Sequence, residues 1–202
     1  MKVSVFMLAY NHAPFIEQAV RGVLSQQAGF DFELVVGEDK STDDTPAVLA
    51  RLAAADPRVR VLDRPTNLGM QANFIDTYHR CRGEYVAYLD GDDYWTDPAK
   101  LRTQVAFLDA HPEFSFCFHR VTVSGATGEA ADLARGAVGP RYDGRTRFRL
   151  DDLVDGNFIP SCSVVARNRL IPAFPDWVLG VRGIDWLFHL LNATRGPFAL
   201  VD

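Results

Sequence analysis

Leu89-Asp90-Gly91-Asp92-Asp93 places three carboxylates within four residues. Packed so closely they repel one another unless something neutralises them. The simplest neutraliser is a hard divalent cation with oxygen ligands, Mn²⁺ or Mg²⁺, which keeps open positions for a substrate diphosphate. Gly91 permits the tight backbone turn that would aim the carboxylates together. The same residues could instead form an acidic turn ahead of a helix beginning near Asp97, and the triplet alone does not decide between the two. Other polar pairs recur along the chain, Tyr10-Asn11 and Glu38-Asp39, each directly after an apolar run.

Those runs are the elements that must position the clusters. Val3–Ala9 (VSVFMLA) is continuously apolar and of strand length, the pattern of a strand covered on both faces. Asn11 is expected to cap the following helix, with Pro14 in its first turn and Phe15, Ala19, Val20 and Val23 on one face. A second strand is expected at Phe32–Gly37. A helix opening at Ser41–Asp44 follows it, then a strand at Val59–Leu62 and a helix over Leu68–Cys81 striped by Met70, Phe74 and Tyr78. Tyr85–Leu89 reads as a fourth strand and Asp97–Ala110 as the next helix. Strand alternates with helix throughout, which predicts a parallel, doubly wound sheet with helices on both faces. Ligands of such sheets bind at the carboxyl ends of the strands, where the polar clusters fall.

The second half is less regular. Phe114–Val123 and Asn157–Ala166 are expected as strands, Gly183–Thr194 as a helix and Phe198–Val201 as a final strand. Residues 124–147 read as a long loop. One domain over 1–202 is expected, with a regular half at 1–120 and a less regular half at 121–202. The chain stops soon after its last strand, so the native protein is expected to extend further.

At 202 residues and 48% hydrophobic composition the chain can bury a core without staples. A formal charge of −5 offers no excess of cations for nucleic acid or an anionic membrane surface. Cys81, Cys117 and Cys162 fit reduced core thiols rather than a redox or metal motif. No apolar stretch is long enough for a membrane span or signal peptide. A cytoplasmic protein is expected, compatible with a peripheral place at the inner face of the membrane through a partner.

Several segments in order resemble glycosyltransferase family 2, the GT-A fold found in bacterial polysaccharide enzymes. Val3–Asn11 resembles its first strand, and Glu38-Asp39-Lys40-Ser41-Thr42-Asp43-Asp44-Thr45 its Asp-Asp-x-Ser-x-Asp-x-Thr signature. Asn67-Leu68-Gly69 with Asn73 resembles its Asn-x-Gly segment. Gly83-Glu84-Tyr85 leads to Asp90–Asp93 as the family leads to its metal motif, and Tyr94–Leu101 continues in the family's manner. The resemblance covers residues 3–120, with a weaker echo from 157 to 200. It implies a Rossmann-like GT-A domain that moves a hexose from a nucleoside-diphosphate sugar, UDP- or dTDP-linked, to a hydroxyl of a glycan or lipid-linked glycan. It further implies an inverting reaction and a role in bacterial glycan synthesis.

By the same resemblance Asp92 coordinates the metal, Asp90 lies near the ribose and metal shell, and Asp93 assists either. Asp39 accepts a hydrogen bond from the donor's base. Ala9, Tyr10 and Asn11 line the base pocket, although Asn11 serves equally as an ordinary loop residue. Glu38, Asn67, Gly69, Asn73 and Gly91 complete the nucleotide-sugar site, Glu38 departing from the family's usual Asp. Gln71 and Ala72 stand where the family often has an Arg, so one cation expected near the diphosphate is missing. The family's general base precedes an apolar helix in the second half, and Asp185 in Gly183-Ile184-Asp185-Trp186-Leu187 fits that place. A plain first-turn Asp would look the same. His119 and His189 could be ligands or structural residues, and Trp177 and Trp186 could stack on a sugar or fill the core. Arg167-Asn168 recurs in such enzymes without an evident role, and Lys40 reads as a solvated turn residue.

Two other functions compete. A sugar nucleotidyltransferase would carry a Gly-rich, cationic loop after the first strand, where Ala9–Pro14 has none. A catalytically inactive nucleotide-binding module would fit the missing Arg, but not the acidic cluster together with Asp185.

Overall fold

The computed structural model describes residues 1–124, 130–132 and 144–201. Four strand–helix units come first: β1 (Val3–Ala9), α1 (Ile16–Leu24), β2 (Phe32–Glu38), α2 (Thr45–Ala55), β3 (Val59–Leu62), α3 (Met70–His79), β4 (Tyr85–Asp90) and α4 (Lys100–Ala110). Short strands follow: β5 (Phe116–Phe118), β6 (Thr122–Ser124), β7 (Ala130–Asp132) and β8 (Arg147–Phe148). After them come α5 (Asp151–Val154), a 3₁₀ turn at Ser161–Ser163, β9 (Val165–Arg167), a second 3₁₀ turn at Asp176–Gly180, α6 (Ile184–Ala193) and β10 (Phe198–Leu200). The loop expected over 124–147 falls largely outside the described residues; β7 and β8 bound what is seen of it.

The main sheet has eight strands in the order β3-β2-β1-β4-β9-β5-β10-β8, and β6 and β7 form a separate hairpin. β3, β2, β1 and β4 run parallel, while β9 is antiparallel to both its neighbours, β4 and β5. The sheet is thus mostly parallel, as expected. Every residue of β1 and β2 is buried, which is why their sequences are mostly apolar rather than alternating; the exceptions are Ser4 and Glu33, bonded to each other at 2.7 Å, and Glu38 at the end of β2.

Strand alternation assigns the two faces. Val5, Met7, Ala87 and Leu89 face one core with Ile16, Val20 and Val23 of α1, Leu49 of α2 and Leu101 and Val105 of α4. Phe6, Leu8, Val86 and Tyr88 face the other, with Phe74 and Tyr78 of α3 and Phe188 of α6. Aromatic rings fill this second core: Phe6 stacks on Tyr88 at 4.9 Å and meets Phe74 edge-on at 5.1 Å, and Phe74 lies 5.5 Å from Phe188. That packing fixes α6 against α3 and β4, and with it Asp185, two residues beyond the left-handed Gly183 (φ 79°).

Several boundaries differ from the sequence reading. Asn11 does not cap α1, which begins at Ile16. It adopts a left-handed φ of 57°, and its Oδ1 accepts the Thr42 N–H at 2.8 Å. The helix expected from Asp97 starts at Lys100, because Asp97 Oδ1 caps the Ala99 N–H and Pro98 O accepts from Gln27 N. The strand expected over Asn157–Ala166 forms only at Val165–Arg167. Ahead of it, Cys162 O accepts from Trp95 Nε1 and Ser163 O from Gln104 Nε2, both at 2.9 Å, so these carbonyls serve side chains rather than a strand ladder. Arg167 has a structural role: its guanidinium donates to Leu108 O, His111 O and Phe114 O, holding the end of α4 and the turn after it to β9. The three cysteines are free thiols. Among the described residues no helix is long and apolar enough to cross a membrane.

Candidate active site

A cleft of about 430 Å³ opens at the carboxyl ends of β1, β2 and β4. Seven residues named from the sequence line it: Ala9, Tyr10, Asp39, Asn67, Gly69, Asn73 and Asp90. Leu8, His12 and Met70, not named from the sequence as site residues, complete the lining; Met70, expected on the apolar stripe of α3 with Phe74 and Tyr78, is instead exposed, while those two are buried. Tyr10 and Met70 are exposed at its mouth.

The floor is cross-tied. Asp39 is 3% exposed, and its carboxylate accepts the Leu68 N–H at 2.7 Å and the Gly69 N–H at 2.9 Å. Asn67 Nδ2 donates to Asp39 O at 2.7 Å, and Gly69 takes a φ of 80° that suits glycine. Asn73, buried at the start of α3, donates to Gly37 O at 2.8 Å and accepts from Arg64 Nη2 at 2.9 Å. Arg64 is itself buried and also binds Asp76 and Thr77. Asn73 thus lines the cleft with a side chain whose amide is already engaged. Gln71, standing where a cation was missed, donates to Val181 O at 2.9 Å and ties α3 to the segment before α6.

Asn11, Glu38, Gly91, Asp92, Asp93 and Asp185 do not line this cleft. Glu38 turns back on its own loop, accepting the Ser41 N–H at 2.7 Å and the Lys40 N–H at 3.2 Å. The longer arm that distinguishes it from Asp is used for that reach. Asp43 accepts from the Ala13 and Thr45 N–H groups, and Thr45 Oγ1 accepts the His12 N–H. The signature segment therefore locks the loop after β1 to the loop after β2. Lys40 is exposed at φ 61°.

The acidic turn is built differently. Asp90 shares the parity of Tyr88 and so points to the face of α3 and α6. It receives the Tyr88 hydroxyl at 2.6 Å and a long bond from Ser161 Oγ at 3.4 Å. Burial pushes its carboxyl up to about 7; the Tyr88 bond opposes this, and the charges of Asp93, Asp92 and Asp185 add to it. Asp93 is raised by burial and by Asp92, against a bond from the Cys162 thiol and the nearness of His12. Asp92 is exposed. Gly91 is required by contact: a Cβ there would stand 2.7 Å from His12 Nδ1 and 3.0 Å from Leu8 O. His12 packs beneath the turn with its Nδ1 buried and unpartnered. Its place in the loop after β1 was the available signal for including it.

Asp92 and Asp93 border a second cavity of about 730 Å³, with Trp95, Lys100 and His119. Lys100 is buried, 4.2 Å from the Trp95 ring and donating to Gln104 at 2.7 Å, and burial pushes its ammonium down to about 7. His119 is pushed down to about 4 by burial and by Lys100, and its Nδ1 bonds Arg120 O. Among the described residues no three His, Cys, Asp or Glu side chains form a ready-made ion cage. The turn instead offers one exposed carboxylate, Asp92, flanked by two whose charge is poorly compensated. That donor set suits an ion completing its shell from water and a ligand's phosphates.

Asp185 sits partly buried in the first turn of α6, its Oδ2 accepting from Asn157 Nδ2 at 2.9 Å. Its charge is felt by Tyr88 and Asp90, so it stands on the β4 side of the site. Trp186 Nε1 donates to Leu153 O at 2.9 Å, holding α6 to α5, whereas Trp177 is exposed.

The model of glycosyl transferase family 2 matches residues 4–170. The chain belongs to that family. Over 200 residues it is 38% identical to the Mycobacterium tuberculosis (strain H37Rv) protein Rv1520, an alignment covering 98% of this chain and 56% of that one. The family 2 chain thus spans little more than half the length of this relative. S. aureus TarS 1-349 in complex with UDP-GlcNAc superposes with a TM-score of 0.72 at 22% identity, over 100% of this chain and 56% of that one. A mannosyltransferase from Pyrobaculum calidifontis in complex with GDP-Man and Mn²⁺ does so with a TM-score of 0.72 at 20% identity, over 99% and 54%. At these identities the likeness is one of fold.

Proposed function

We propose that this chain transfers a hexose from a nucleoside-diphosphate sugar, UDP- or dTDP-linked, to a hydroxyl of a glycan or lipid-linked glycan, with inversion, in bacterial glycan synthesis at the cytoplasmic side. The observation that carries the reading is the pairing of a floored cleft at the ends of β1, β2 and β4 with the undercompensated carboxylate of Asp90 at its edge.

The base and ribose would occupy the cleft, with Tyr10 at the mouth. Each Asp39 oxygen accepts one backbone N–H and so keeps a lone pair for the N–H of a uracil or thymine. Asp92 would hold Mn²⁺ or Mg²⁺, with Asp90 and Asp93 beside it. Such an ion, when bound, offsets the charge that grows on the departing nucleoside diphosphate. Asp185 is the general base. It takes the acceptor hydroxyl's proton as that oxygen bonds the anomeric carbon and the bond to the diphosphate breaks.

Incubation with a panel of UDP-, dTDP- and GDP-sugars and Mn²⁺ tests the reading through release of the nucleoside diphosphate to water or a saccharide acceptor. Release from a UDP- or dTDP-sugar that Asp185→Asn abolishes supports it. No release from any donor by folded protein favours the inactive binding module.

A further inference from the structure

Asn157 lies on the loop between α5 and the first 3₁₀ turn, exposed, yet three hydrogen bonds hold its amide. Its Oδ1 accepts the Ile159 N–H at 3.1 Å and faces His189 Nδ1 at 3.3 Å. A backbone N–H can only donate, so the oxygen must point that way and the NH₂ must point to Asp185 Oδ2, 2.9 Å off. With Oδ1 as acceptor, His189 carries its proton on Nδ1. Its ring is 1% exposed, its Nε2 has no partner, and burial keeps the imidazole neutral by pushing it down to about 3. His189 therefore stays a donor of fixed direction rather than a titrating group. The line runs from a buried ring on α6, through a loop amide, back to a carboxylate one helical turn earlier on the same helix.

We propose that Asn157 is a positioning residue for the Asp185 carboxylate, and that His189 fixes Asn157 in turn. The inference rests on reading Asp185 as the general base. Without the donated N–H the carboxylate would sample other rotamers, and misplacement of a base by about an ångström costs up to roughly a hundredfold in rate.

Two variants separate positioning from a loop-building role. Asn157→Ala removes every bond of the amide. Asn157→Asp keeps acceptors for Ile159 and His189, removes the donor to Asp185 and sets a like charge beside it, which shifts the ionisation of the pair upward, so kcat is read at pH 7 and again at pH 9. The assay is UDP release from UDP-glucose or UDP-N-acetylglucosamine with Mn²⁺, whichever turns over, read beside the thermal midpoint and the donor KM. Positioning predicts that both variants lose roughly ten- to a hundredfold in kcat with donor KM within about twofold, and that the loss persists at pH 9; a loss confined to Asn157→Asp and recovered at pH 9 is a charge effect and overturns the inference. A structural role predicts that Asn157→Asp reaches wild-type kcat at pH 9 and that Asn157→Ala loses stability and donor binding together; that pattern overturns the inference. Asp185→Asn is run in parallel. If it turns over normally, the base reading fails and this inference with it. If it is inactive while Asn157→Asp retains full kcat, only the positioning inference fails.

Discussion

Asp39 and Asp90 stand at the ends of β2 and β4, the two strands that flank β1, and line the same cleft, yet they are supported in opposite ways. Asp39 takes a backbone N–H on each oxygen, from Leu68 and Gly69, and is compensated from within the fold. Asp90 has one good partner, Tyr88, and stands among the charges of Asp92, Asp93 and Asp185. A carboxylate satisfied by its own chain builds the shape of a site. One left short of positive charge leaves the site dependent on what binds there.

Substitutions at the two strand ends should therefore part company, and the catalytic side should part from both. The largest effect is expected at Asp185→Asn, a loss of about 10³ in transfer with donor affinity unchanged, read by turnover beside calorimetry. Next comes the direct contrast. Asp39→Ala strands the Leu68 N–H, leaves Gly69 N–H with Asn67 Oδ1 as its one acceptor, and should cost about 1–2 kcal/mol of stability as well as donor affinity. Asp90→Asn should lose donor turnover yet raise the thermal midpoint of the ligand-free protein by a few degrees. The sign follows from a carboxyl raised in the folded state: it destabilises once pH exceeds its unfolded value, increasingly up to about 7. The Asp90→Asn gain should accordingly be larger at pH 8 than at pH 5, and an equal gain at both would show that ionisation is not its cause.

Smaller changes sharpen the same contrast. Gly91→Ala forces a methyl against His12, Ile16 and the Leu8 carbonyl and should cost about 1–3 kcal/mol by thermal unfolding. Glu38→Asp matches the family's residue but shortens the reach to Ser41 and Lys40. It should cost at most about 1 kcal/mol while leaving the cleft intact, checked by unfolding and nucleotide titration.

How much was legible in the sequence follows the same division. β1, β2 and β4 could be read because both faces are buried and the runs are mostly apolar, broken only by Ser4, Glu33 and the carboxylates at the ends of β2 and β4. Polar residues at their ends could be assigned to one rim because parallel sheets gather their carboxyl ends. What Asn11 and Glu38 do could not be read, since each answers a loop distant in sequence or bends back upon its own. The break in Asn157–Ala166 was hidden for a related reason: Trp95 and Gln104 claim the carbonyls a strand would have used. Nor could any local pattern reveal that β9 slips antiparallel between β4 and β5. His12 and Asn157 were missed because their relevance lies in contacts to Gly91 and Asp185 rather than in a motif.

The most direct test of the central claim is calorimetric titration of UDP, dTDP and GDP into wild type and Asp92→Ala, with Mn²⁺ and with chelator. The account predicts that UDP or dTDP binds wild type with Mn²⁺, that chelator abolishes the binding, and that Asp92→Ala removes the metal dependence. Equal UDP binding in chelator, or undiminished metal dependence in Asp92→Ala, would contradict it.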